Sequence, residues 1–94
     1  MRTYAIAADV AGETDEAASR RIFLAERIQT FFPAACRPLG VLWIAKSERG
    51  LSEIRDNLAP YLNEGDKLLV LPIDDACAWK GLEPEVAVWL HEQL

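Results

Sequence analysis

A chain of 94 residues with 15 acidic against 10 basic side chains has a formal charge of −5 at pH 7. The length makes one domain, residues 1–94, and the charge excludes a protein that grips nucleic acid through overall positive charge, which needs a basic stripe to displace counterions. A hydrophobic share of 51% requires either a dense core or an apolar surface hidden by a partner, for which a second copy of the chain is the simplest candidate.

Thr3 to Asp9 reads as a first strand, almost continuously apolar until it stops at a carboxylate, as in a central strand covered by helices. The loop "DVAGETDE" follows, with Thr14 or Asp15 placed to cap a helix and Asp15 and Glu16 suited to its positive end. The helix runs to about Phe32, where Pro33 ends it. Ala18, Ile22, Ala25, Ile28 or Gln29, and Phe32 mark its expected apolar face.

Ala34 to Arg37 is a short second strand, Pro38 to Gly40 a tight connection, and Val41 to Lys46 a third strand. Pro38 has no amide proton to give to a central ladder, so the second strand is expected to be short or at a sheet edge. Gly50 stands at the cap position of a second helix whose apolar face is Leu51, Ile54, Leu58 and Tyr61 or Leu62, with Pro60 tightening its last turn. After the turn "NEGDK", Lys67 to Ile73 is a fourth strand. The segment "DDACAWKG" is irregular, and Pro84 opens a final helix with Val86, Trp89 and Leu90 on one side.

This order implies an α+β, ferredoxin-like βαββαβ fold with an appended C-terminal helix, two helices lying on one face of an antiparallel sheet. A doubly wound parallel sheet is the alternative, but the chain lacks its glycine-rich fingerprint. The opposite sheet face is expected to be bare and covered by a second copy about a twofold axis. No apolar run reaches the ~18 residues of a membrane span, and the N-terminus lacks a signal-peptide pattern, so a cytoplasmic location is expected.

Asp9 is the first candidate for chemistry. It either organises the loop or ligates Mg²⁺, and Mg²⁺ takes about six oxygens, so a second Asp9 across a twofold axis improves the site. Arg20 and Arg21 sit one turn into the first helix, within reach of a phosphate or solvated. Lys46, Arg49 and Arg55 are a candidate basic patch beside the second helix. Asp74 and Asp75 read as turn residues, and His91 as a cation at a negative helix end. Cys36 and Cys77 read as apolar groups, and Trp43 and Trp79 as core or interface anchors.

The fragments "YAIAAD" (Tyr4 to Asp9), "VLWIAKSERGLSEIRDNL" (Val41 to Leu58), "GDKLLVLPI" (Gly65 to Ile73) and "AWKG" (Ala78 to Gly81) together resemble the small CRISPR-associated adaptation protein. That family supplies the dimeric partner of the spacer integrase, and the chain is most similar to its SinR-like relatives. The resemblance implies a ferredoxin-like homodimer in antiviral defence. It further implies either a scaffold that clamps nucleic acid beside an integrase-like protein or a metal-dependent nuclease. The family aspartate that ends the first strand matches Asp9, and the first-helix arginines match Arg20 or Arg21. Where the family often has an aromatic residue before the aspartate this chain has Ala8, and where a serine often opens the third strand it has Gly40. The expectation is therefore a homodimeric, nucleic-acid-associated adaptor without chemistry. The alternative is a Mg²⁺-dependent endonuclease acting on RNA or DNA, with Asp9 as metal ligand and Asp9, Arg20 and Arg21 as its catalytic residues.

Overall fold

The computed structural model describes all residues, 1–94. The chain forms β1 (Arg2–Asp9), α1 (Asp15–Phe31), β2 (Ala34–Leu39), β3 (Leu42–Ser47), α2 (Leu51–Leu58), a 3₁₀ turn (Ala59–Tyr61), β4 (Lys67–Ile73) and α3 (Pro84–Gln93). The four strands make one sheet in the order β2-β3-β1-β4, and every neighbouring pair is antiparallel. This is the ferredoxin-like βαββαβ topology followed by an extra C-terminal helix. The antiparallel pairing excludes the doubly wound alternative.

The sheet's alternation decides its layers. Tyr4, Ile6 and Ala8 of β1 lie opposite Ala45 and Trp43 of β3 and Pro72, Val70 and Leu68 of β4. These side chains face α1 and α2, because directly paired residues share a sheet face. Ile6, Leu24, Ile28, Ile54 and Leu58 are fully buried there. Each such aliphatic side chain contributes about 1.5–3 kcal/mol relative to exposure. The Tyr4 hydroxyl, carried into this core, donates to the carbonyl of Arg49 at 2.7 Å, so the one polar atom of that side chain is satisfied.

Caps and breakers act where the sequence places them, except at Pro38. The Thr14 hydroxyl accepts the amide of Ala17 at 3.1 Å and starts α1. Gly50 starts α2 without a side-chain cap, and Glu53 pairs with Arg49 at 3.1 Å instead of closing a capping box. Pro60 lies within the 3₁₀ turn. Pro38 lies inside β2, an edge strand, at a register shift between Cys36 and Leu39. A bulge of this kind tolerates the missing amide, so the strand continues to Leu39 and the hairpin turn moves to Gly40 and Val41.

Two expectations change. The inner face of α1 is Ala17, Leu24 and Ile28, with Phe32 as the C-terminal cap residue, and Ile22 and Phe23 are 58% and 56% exposed. Ile28 and Phe32 keep their expected places and Ala25 is half-buried against the core, whereas Ala18 and Ile22 face outward, because Arg20 and Arg21 occupy the stretch between Ala17 and Leu24 and send long stems to the loops. The second sheet face is not bare. Val86, Trp89 and Leu90 of α3, with Leu82 and Leu94, pack on Cys36, Leu42, Ile44, Ala5 and Ile73. The chain's own tail covers the β2–β3 side of that face. Leu69 and Leu71 on β4 remain 55% and 45% exposed. No helix is long and apolar enough to cross a membrane.

Candidate functional site

The end of β1, the β1–α1 loop and the β2–β3 turn enclose a small hollow of about 40 Å³. Asp9, Arg21, Arg37, Gly40, Val41 and Trp43 supply much of its lining. Asp9 is the last residue of β1, exposed, and opposite Lys67 in register.

Arg21 reaches back from α1 to the loop that precedes it. Its Nη2 donates to the carbonyl of Val10 at 2.8 Å and to that of Gly12. Gly12 sits at φ 95°, a left-handed conformation that a side chain at this position resists, and the turn presents its carbonyl to the arginine. Arg37 comes from β2. Its Nε donates to the carbonyl of Gly40 at 2.8 Å, and its guanidinium lies 4.5 Å over the ring of Trp43. Both guanidinium groups are held by backbone carbonyls, and no ion pair of the molecule involves either. They keep their positive charge and spare N–H donors beside the hollow. The Nε1–H of Trp43 is buried in the same wall without a hydrogen-bond partner.

Arg20 does something different. It pairs with Asp66 and lies 3.3 Å from Glu16. Asp66 also accepts the amides of Asn63 and Ala11, each at 2.8 Å. These two backbone amides, and then Arg20, hold its carboxyl below the usual carboxylate value of 3.8. The structure therefore separates the two adjacent arginines: Arg21 borders the hollow with Asp9, and Arg20 ties α1 to the turn before β4.

The basic patch expected from Lys46, Arg49 and Arg55 is neutralised. Lys46 lies 3.5 Å from Asp75, Arg49 pairs with Glu53, and Arg55 lies 3.0 Å from Asp56. Asp75 also accepts the Thr3 hydroxyl at 2.7 Å, and that bond, ahead of Lys46, lowers its pKa from 3.8. Asp75 thus pins the segment after β4 to the sheet, while Asp74 is exposed. Asp15 and Glu16 lie in the first turn of α1, and His91 in the last turn of α3. Cys36 is buried, with its thiol pushed up to about 11 by burial, and Cys77 is exposed. Trp43 belongs to the core, and Trp79 is exposed.

The residues of this chain around Asp9 do not suit Mg²⁺. No group of three His, Cys, Asp or Glu side chains is gathered anywhere, and the side chains that share the hollow with Asp9 include two guanidinium groups. Fixed positive charge raises the cost of placing a divalent cation there and lowers that of an anion. A cation at Asp9 would need most of its oxygen ligands from outside this chain.

Arg37, Asp66 and the indole N–H of Trp43 were not marked by spacing. A charged residue one position before Pro38, at a strand end, is the available signal for Arg37. For Asp66 it is an acid directly after Gly65 in a turn. No protein-family model matches the chain, and a search of curated proteins finds no match either.

Proposed function

We propose that the protein is a homodimeric adaptor that holds nucleic acid through its phosphates without acting on it, as the resemblance to the small CRISPR-associated adaptation proteins implies. The observation that carries this reading is the hollow beside Asp9. Two guanidinium groups, Arg21 and Arg37, border it without a carboxylate partner, and each retains donors for a phosphate oxygen. The homodimer rests on the apolar strip that α3 leaves open. Leu69 and Leu71 on edge strand β4 stand beside Ala7 and Ala5 of β1 on one face. Pairing two copies there removes that strip from water and sets two hollows on one assembly. An integrase-like protein and a cytoplasmic role in antiviral defence remain part of this reading.

Overall acidity limits the grip. Two phosphate contacts per protomer make four per dimer, for a slope of log affinity on log salt of about −3.6 on duplex DNA and about −2.8 on single strands. The deciding experiment is fluorescence anisotropy of labelled RNA and DNA, single- and double-stranded, over a salt series. Incubation of the same substrates with Mg²⁺ or Mn²⁺ runs alongside, using wild type and Asp9→Asn. Salt-steep binding without cleavage supports the adaptor. Cleavage abolished by Asp9→Asn replaces it with the endonuclease, and absence of binding at low salt refutes both.

A further inference from the structure

A second cavity, of about 330 Å³, lies on the opposite side of the sheet from α1 and α2. Its floor is Leu42, Ile44 and Ile73, its wall is Leu90 of α3, and Trp79 stands over it from the segment between β4 and α3. The volume is at the low end of the ~300–1,000 Å³ range of small-molecule sites. The lining is apolar or thiol throughout, with one charged side chain, Lys80. None of the molecule's ion pairs involves Lys80. An apolar trough with a single unpaired cation matches a ligand with an apolar body and a single negative end.

We propose that this trough binds a medium-chain aliphatic carboxylate, its chain along Leu42, Ile73 and Leu90 and its carboxylate on Lys80. A second copy fits less well. A twofold axis through the trough brings the two Lys80 side chains together, like charge against like, whereas a carboxylate meets Lys80 with opposite sign. The site is independent of the phosphate hollow, which lies at the β1 lip.

The protein carries two reporters. Trp79 and Cys77 both border the trough and are exposed, whereas Cys36 is buried with a thiol pushed up to about 11 and serves as the unreactive control. The experiment titrates hexanoate, octanoate and decanoate below their micellar concentrations. It follows tryptophan emission and the rate of Cys77 alkylation by iodoacetamide, with decanol as the uncharged comparison. Expected is saturable binding that tightens up to about fourfold per added methylene until the trough is full. Cys77 alkylation slows about tenfold at ten times Kd. Lys80→Ala weakens decanoate about three- to fivefold and leaves decanol unchanged. Leu39→Asp, at an exposed position on the lip, weakens decanoate in a protein that still folds. Non-saturable emission changes, equal weakening of decanoate and decanol by Lys80→Ala, or Cys77 protection that follows protein concentration with no carboxylate present would each overturn the proposal. The last result means that a second copy fills the trough.

Discussion

Arg20 on α1 closes an ion pair on Asp66, whose side chain is 1% exposed although it belongs to a surface turn. The carboxylate simultaneously accepts the amides of Ala11 and Asn63, so one acid joins the β1–α1 loop, α1 and the turn that leads into β4. Two segments distant in sequence are thereby held at the end of the sheet that carries the hollow beside Asp9.

Stability follows pH through this carboxylate and Asp75. Both have pKa values lowered in the fold, so the unfolded chain binds protons first as pH falls. Their stabilising contribution is complete above the unfolded value near 3.8 and is lost as pH drops from there through the folded values. Thermal melts from pH 7 to pH 2.5 are expected to show a steep loss below about pH 4. Asp66→Asn lowers the melting temperature at pH 7 by several degrees and flattens the acid limb, and Asp75→Asn does the same less strongly. A wild-type melting temperature unchanged down to pH 2.5 contradicts this.

Arg37 tests the phosphate hollow more cleanly than Arg21, whose bonds also shape its own loop. Arg37→Ala is expected to reduce the magnitude of the salt slope by about one per protomer and to weaken binding evenly across sequences. Anisotropy at several salt concentrations reads both. A slope unchanged in Arg37→Ala removes that guanidinium from the interface.

The open strip on β4 predicts an assembly that one charge disrupts. Leu69→Asp places a carboxylate on an already exposed position, so the folding free energy should move by only about 0.5 kcal/mol. Sedimentation velocity is expected to show a wild-type dimer and a Leu69→Asp monomer at micromolar concentration. A wild-type monomer at that concentration would leave the strip without this role.

The two thiols should react as differently as their surroundings. With a pKa of about 11, Cys36 has roughly one part in a thousand as thiolate at pH 8, and it is buried. Ellman's reagent is expected to titrate one thiol, Cys77, in the native protein and both in denaturant. Rapid reaction of two native thiols argues against the packing of α3 on Cys36.

The α1 face shows where local pattern stops informing. Steps of three and four from Ala18 to Phe32 are satisfied in the sequence, yet the helix turns Ile22 outward and places Ala17 and Leu24 inside. Apolar groups were available on both arcs. The choice went to the arc whose two arginines reach hydrogen-bond acceptors, carbonyls for Arg21 and a carboxylate for Arg20, that exist only once the loops are in place.

Strand and helix order and the antiparallel plan were written in the chain, which also narrowed the cap to Thr14 or Asp15 and the strand before Pro38 to a short or edge one. Alternation, capping chemistry and proline's missing amide act over a few residues and need no knowledge of distant segments. Tertiary structure alone decided that α3 folds back over Cys36 and Ile44, that Arg20 and Arg21 part company, and that Arg37 joins Asp9. Each joins residues far apart in the chain, and such pairings are selected by which apolar surface remains uncovered and which buried donors and acceptors still lack partners, quantities that exist only in the folded protein.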